Sequence, residues 1–410
     1  MSQHTTQIPY GILLTALVLL SASGLIASDI NLPGMGVAAI ALDSPISAIQ
    51  RTFGVYLIGL AVAQVIYGPL SDTYGRRSLV LGGLFLFTAA SITCATAQNV
   101  TVFAIGRLLQ ALGAGAGVVI GRAIVADIFD KKTAGRVFAT IMPIVGASPA
   151  LSPIIGGYLT LHFSWRAPFL FTAALGIATL ILVATKIPET FPKDQRHHAL
   201  LATIKNYPGL LINTLFLAYT VNLGVAYAAY FGYLAASPVI FSAMGMTPAV
   251  ISYCYISVAI AYIVGNLISR NLIQKYSINH LIAVGYVLFT IGASSLFLCG
   301  LYNMTSPVPV LVNMAIMTLG NGFLLPLSYA GGITNFPKSA GAASGLMGAL
   351  QLACGSLAIY VVTLVGSDLH HLGLFMIATA LIGCTFFPCL LYFYHVKTRT
   401  VRKAFLPKAN

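Results

Sequence analysis

Charge is what this sequence lacks. Only 7% of its 410 residues are Asp, Glu, Lys or Arg, against about 25% in soluble globular proteins. Apolar residues make up 58% and the mean hydropathy is +0.91, which excludes a string of soluble domains. Paired cysteines are also missing. Cys94, Cys254, Cys299, Cys354, Cys384 and Cys389 all fall within long apolar runs and form no CxxC. They read as small packing residues, with no disulfide or metal role expected. There is no HExxH, no GxxxxGK[ST] and no nucleophile–base constellation. The sequence therefore predicts neither an enzyme nor an ATP-driven machine. No metal and no cofactor is expected, and any work done must draw on an ion gradient.

What is there is apolar length. Runs recur at about 9–33, 53–71, 78–97, 101–126, 137–160, 166–187, 209–234, 249–270, 281–301, 309–330, 341–365 and 372–394. Each can cross a hydrocarbon core of about 30 Å. They are too long and too evenly apolar for barrel strands, which leaves helices. The expected fold is an all-α membrane protein of twelve transmembrane helices. The longest polar stretch divides them six and six. The expected units are an N-terminal half (1–187), a cytoplasmic linker (188–208), a C-terminal half (209–394) and a basic cytoplasmic tail (395–410). His197 and His198 read as part of a solvated linker.

The halves read as a diverged repeat. "KTAG" at 132–135 is echoed by "KSAG" at 338–341, and the "LP" step at Pro33 by "SP" at Pro238. Six-helix repeats are a known transporter design. With the N-terminus placed in the cytoplasm, seventeen of the 21 Lys and Arg residues fall on the cytoplasmic side. Arg51 and Arg166 fall outside, and Arg107 and Arg122 lie within the fourth run. That asymmetry is a positive-inside pattern. The net charge of +13 therefore orients the chain, and nucleic acid is not an expected partner. The tail suits anionic inner-leaflet lipid. The first seven residues hold no Lys or Arg and the first run is long, so no cleaved signal is expected.

Ionisable residues inside spans point to function. Asp29 sits in "IASDINLPGM", several residues before the first span should exit. Arg107 enters about six residues into the fourth span, so the two lie at similar depth, roughly 9 Å inside. A charge pair or a competition for one site follows, and a carboxyl so placed can load and release a proton. Arg122 shares nearly one helix face with Arg107, and Gln110 is one turn from it. Gly113, Gly117 and Gly121 form a packing ridge. "VGASPALSPIIGGYL" holds Gly146, Pro149, Pro153, Gly156 and Gly157 in one span, and reads as a conformational element. The second half supplies aromatics and amides, including Asn222, Tyr230, Tyr262 and Gln351, which suit amphipathic organic ligands. Asp29 and Arg107 are the expected coupling residues. Asp29, Gln110, Arg122, Asn222, Tyr230, Tyr262 and Gln351 are the expected cavity residues.

"GPLSDTYGRR" (68–77) resembles the loop signature of the major facilitator superfamily, G-x-L-x-D-x-x-G-R-[RK], at Gly68, Leu70, Asp72, Gly75, Arg76 and Arg77. "RLLQALGAG" resembles the fourth-helix motif, with Ala111 replacing a glycine. "GASPALSPIIGG" resembles the fifth-helix motif associated with antiporters. "SDINLPGM" resembles the first-helix signature of twelve-helix drug:proton antiporters. With "GRAIVADIF" and "SWRAPFLF", the chain is similar to the bicyclomycin-resistance (Bcr/CflA) branch of bacterial drug efflux proteins.

The resemblance implies two pseudo-symmetric six-helix halves around a central cavity. It implies proton-coupled export of small organic molecules by a multi-pass protein of the bacterial inner membrane with both termini cytoplasmic, and a monomer is expected. Two other readings stay open. One is a dedicated exporter of a native metabolite or siderophore, because two buried arginines suit a neutral or anionic substrate. The other is a proton-coupled importer, because the fold serves both directions. In either case the cytoplasmic side needs a breakable latch. Gly68 and Gly75 permit a tight turn. Asp72 can face the positive end of a helix in the other half, which the resemblance identifies as the eleventh span. Arg76 can bridge Asp72 to Asp127, and Arg77 is expected to serve topology alone.

Overall fold

The structure, a computed structural model, describes residues 9–191, 205, 207–336 and 339–405. Most of the predicted linker, Lys338 and the last residues of the tail lie outside the described residues, as do the surroundings of Gly146.

The described chain is helical. In the N-terminal half, α1 (Tyr10–Asp29) breaks into a 3-10 turn (Leu32–Gly34) and continues as α2 (Met35–Ala41). Then come α3 (Ile46–Tyr74), α4 (Arg76–Thr96), α5 (Val100–Ile128), α6 (Lys131–His162) and α7 (Ala167–Lys186). A short α8 (Tyr207–Leu211) leads into the second half. There α9 (Thr214–Ala243), α10 (Pro248–Leu272), α11 (Ile278–Leu301), α12 (Pro307–Thr334), α13 (Ala340–Val365) and α14 (Leu369–Phe405) follow. Among the described residues, eleven segments are long and apolar enough to cross a membrane, with α1 to α2 counted as one. The 32-residue α6 is the twelfth long helix.

Local chemistry sets several boundaries. The Asn99, Asn213 and Ser277 side chains accept backbone N–H groups at the starts of α5, α9 and α11, as N-cap residues do. Gly75 has φ +94° between α3 and α4, a conformation that a side chain would strain. Pro238 does not end α9, which runs on to Ala243. Likewise α14 continues through residues 395–405, so much of the expected tail prolongs the last helix.

Glycines bring the helices together inside each half. A Cβ added at Gly113 of α5 would lie 2.6 Å from the Gly83 carbonyl of α4. A Cβ at Gly320 of α12 would lie 2.6 Å from the Gly285 carbonyl of α11. The same contact in both halves fits the repeat read from the sequence.

Between the halves, α3 packs on α13 and α6 on α10. The seam is tight at the end away from the termini. Gln50 Nε2 donates to the Ala235 carbonyl at 2.7 Å and to Ser367 Oγ at 3.2 Å. Ser356 Oγ donates to the Gly54 carbonyl at 2.9 Å. Farther along α3, Gly348 still packs against the Gln64 side chain. At Gly341, near the start of α13, an added Cβ would meet nothing within 4 Å. Among the described residues, the hydrogen bonds that cross between the halves are those of Gln50 and Ser356, at the far end of the bundle, away from the termini.

Candidate functional site

The site grows from the break in the first helix. The last carbonyls of any helix lack intrahelical donors. The Ile26 carbonyl is taken by the Ile30 N–H at 3.0 Å. The next two are taken by Arg107 of α5: Nη1 donates to the Ala27 carbonyl at 2.7 Å, and Nη2 to the Ser28 carbonyl at 3.2 Å. A cation at a helix C-terminus also meets the negative end of the helix dipole. Arg107 therefore caps α1 from a neighbouring helix, and is itself buried.

A frame of side chains fixes that guanidinium. Gln110 Oε1 accepts from Nη1 at 2.8 Å. Gln110 Nε2 donates to Ser91 Oγ of α4 at 2.8 Å and Thr172 Oγ1 of α7 at 3.3 Å. The Tyr56 ring of α3 lies 4.2 Å beneath the guanidinium, a cation–π contact. Tyr56 OH donates to the Gly24 carbonyl of α1 at 2.7 Å.

Asp29, the last residue of α1, is 3% exposed. Its hydrogen bond among the described residues comes from Ser28 Oγ at 2.5 Å. Arg107 lies within Coulombic reach, but its bonds go to carbonyls and no direct ion pair joins the two. The expected charge pair is thus a shared helix end with separate partners. Across the seam, Tyr230 of α9 and Tyr255 of α10 lie within Coulombic reach of Asp29. Tyr255 exchanges a 3.0 Å hydrogen bond with Ser237.

The other expected cavity residues fall into two groups. Arg122 is exposed and lies within Coulombic reach of Tyr227 and Tyr329. Tyr230 and Tyr262 keep partial exposure. Gln351 approaches Tyr329, and its buried Oε1 has no hydrogen-bond partner among the described residues. Asn222 is placed elsewhere. It donates to Ser328 and accepts from Tyr286 within the C-terminal half, so its amide is already engaged.

At the end that carries the termini, Arg76 joins three elements. Nη1 meets Asp72 Oδ1 at 2.5 Å, and Nε meets Asp127 Oδ2 of α5 at 3.1 Å. Ser71 Oγ also accepts from Nη1. No described contact carries Asp72 across to α13. On α6, Pro149 and Pro153 are accommodated without a break in the helix. A Cβ at Gly156 would lie 1.7 Å from the Ile30 carbonyl, and one at Gly157 would lie 2.8 Å from Ser252 Oγ of α10. The proline–glycine segment thus sits against both the helix break and the other half.

This architecture agrees with comparison to known proteins. The sequence profile of the Major Facilitator Superfamily matches residues 16–359.

The chain belongs to the major facilitator superfamily.

It is a membrane transporter and not an enzyme. Multidrug resistance protein D of Escherichia coli (strain K12) is 30% identical over 366 residues, covering 89% of this chain and 92% of that protein. A bicyclomycin resistance protein homologue of Haemophilus influenzae is 24% identical over 331 residues, covering 80% and 83%. These names agree with the branch that the motifs resemble. The crystal structure of a bacterial homologue of the human lysosomal transporter Spinster, inward-facing and occupied, superposes with a TM-score of 0.70 at 14% identity. It covers 97% of this chain and 98% of that one, and shows the fold alone.

Several residues of this superfamily member escaped sequence reasoning. Tyr56, Ser91 and Thr172 act on Arg107 through contacts that no spacing announces. Arg77 binds the α7 end through the Ile187 carbonyl at 2.9 Å and the Ala184 carbonyl at 2.6 Å, beyond any part in topology. The start of the linker docks on the Arg76 cluster. Glu189 accepts the Arg76 N–H at 2.8 Å, Thr190 donates to Asp127 at 3.0 Å, and the Phe191 ring lies 4.5 Å from the Arg76 guanidinium.

Proposed function

We propose that this protein is a proton-coupled antiporter that exports small organic molecules, drugs among them, by alternating access. It sits in the bacterial inner membrane with both termini cytoplasmic, acts as a monomer, and uses the proton gradient without a cofactor.

The observation that carries the reading is Asp29. It is a buried acid in a membrane span, bonded among the described residues to Ser28 alone, placed where α1 breaks and where α9 and α10 meet it. The Arg107 charge is tied to the Ala27 and Ser28 carbonyls. It therefore stays in place whether Asp29 is ionised or neutral. An ionised Asp29 balances that fixed charge, and a protonated one leaves it uncompensated. The two states attract a substrate differently, which is the condition for exchange of proton and substrate. Tyr230, Tyr262, Arg122 and Gln351 Oε1 supply aromatic surface, one cation and one acceptor for an amphipathic ligand. Resistance to drugs in the names of two relatives supports the substrate class.

The test is made in proteoliposomes with an imposed pH gradient and a panel of cationic, neutral and anionic compounds, with luminal pH as the signal. Wild type should release protons when substrate is added, and Asp29→Asn should not. Asp29→Asn protein that still moves substrate against a gradient would overturn the coupling role. Proton flux in the same direction as substrate would overturn antiport.

A further inference from the structure

A groove of about 620 Å³ opens between α11 and α14, lined by residues from Asn279 to Ile291 on one wall and from Cys384 to Leu391 on the other. It faces outward from the bundle. Val287 and Ile291 on α11 and Phe386 and Tyr392 on α14 are largely exposed, and both helices are membrane spans. The groove is therefore open to lipid.

Three features make it a built site. Pro388 lies inside the continuous α14, and its ring replaces an N–H on the groove wall. Gly383 admits the Tyr286 ring as the floor, where a Cβ would lie 2.3 Å from that ring. Tyr286 OH donates to Asn222, which donates to Ser328, so the floor is tied to α9 and α12. At the mouth, Asn279 Oδ1 accepts from Tyr219 OH at 3.1 Å, which turns its amide donors to other uses.

The dimensions and charge select the occupant. From Asn279 to Ile291 the wall rises about 18 Å, close to half of a roughly 30 Å hydrocarbon core. The mouth lies at the termini end, where exposed Lys275 and His280 flank Asn279 in the sequence. An apolar channel one leaflet deep, with Lys275 and an amide at its entrance, matches an acyl chain under an anionic headgroup. We propose that this groove binds one acyl chain of an anionic phospholipid from the leaflet at the termini end. The bound chain covers Tyr286 and so supports the Tyr286–Asn222–Ser328 network. This inference is independent of which substrate is moved, or whether protons are.

The test is native mass spectrometry of the full chain in detergent with added phosphatidylglycerol, phosphatidylcholine or palmitate of matched chain length. Ala283 and Val287 are exposed and line the groove, so Ala283→Trp and Val287→Trp fill it without disturbing the core. Wild type should retain one phosphatidylglycerol, and each filling variant should bind it about tenfold more weakly. Leu298→Trp, on the lipid face of α11 outside the groove, should bind as wild type does. Lys275→Gln should lower phosphatidylglycerol binding and leave phosphatidylcholine unchanged. Filled variants that still bind as wild type overturn the proposal. Equal retention of phosphatidylcholine overturns the anionic headgroup, and equal retention of palmitate overturns the phospholipid source.

Discussion

Arg107 and Tyr56 stack at 4.2 Å, and each also holds a different carbonyl of α1. Tyr56 takes Gly24, and Arg107 takes Ala27 and Ser28. The end of the first helix is thereby pinned from both α3 and α5. Asp29 follows directly on the pinned residues, so its position depends on groups that never touch its carboxylate.

Arg107→Lys should show that dependence. An ammonium is a point charge and cannot span two carbonyls and Gln110 as the planar guanidinium does. Hydrogen bonds from charged groups contribute about 1.5–3 kcal/mol, and at least one is lost. The variant should melt lower in detergent and lose most substrate-evoked proton flux although the positive charge remains. Melting and flux equal to wild type would show that the charge alone matters.

The sequence makes the twelve spans legible because hydropathy reports burial in lipid whatever the packing. It makes Asp29 and Arg107 legible because charges inside spans are rare. It does not reveal how they are held. The helix break at Asp29 lies within one apolar run, and hydropathy is blind to a break between two apolar helical pieces. Arg107 binds backbone carbonyls, which carry no residue identity. Glu189 and Phe191 lie in a stretch that reads as solvated linker, yet fold back on Arg76. The continuation of α14 past residue 394 is hidden because the run turns basic while the helix goes on.

Gln50→Ala should shift the balance of conformations. Gln50 is fully buried and bonds Ala235 and Ser367 across the far end. Each such bond contributes about 0.5–1.5 kcal/mol. Their loss should raise the population open at the far end by about fivefold or more. Distances between spin labels on α3 and α13 at that end would report it as a longer component. An unchanged distance distribution would mean that apolar packing alone closes the seam.

The linker residues that dock on Arg76 should contribute measurable stability at the end that carries the termini. Glu189→Ala leaves the first N–H of α4 without its acceptor, a loss of about 1 kcal/mol by analogy with N-cap removal. Phe191→Ala removes a cation–π contact with a contribution of about 0.5–1 kcal/mol. Both should lower the melting temperature modestly. In an Arg76→Ala background the effect of Phe191→Ala should shrink, because the contact it removes is already gone. Undiminished loss in that background would place the Phe191 contribution elsewhere.

Asp368 should make the far-end loop acid-sensitive. Its Oδ1 accepts the His370 and His371 N–H groups at 3.0 and 3.1 Å, and its Oδ2 meets His371 Nδ1 at 2.5 Å. Burial pushes the Asp368 carboxyl up, but the His371 ring and these backbone bonds outweigh it and hold the group below its usual range. A carboxylate depressed in the folded state contributes stability that is present above its unfolded pKa of about 3.9, and loses it as pH falls through the lower folded value. Wild type should therefore lose melting temperature below about pH 4 more steeply than Asp368→Asn, which keeps an acceptor but cannot titrate. Asp368→Ala should be less stable at neutral pH by about 1 kcal/mol, as expected for loss of an N-cap. Because Ser367 next to it bonds Gln50, both variants should also loosen the seam between the halves. Parallel acid profiles for wild type and Asp368→Asn would show that the charge of Asp368 does not hold this loop.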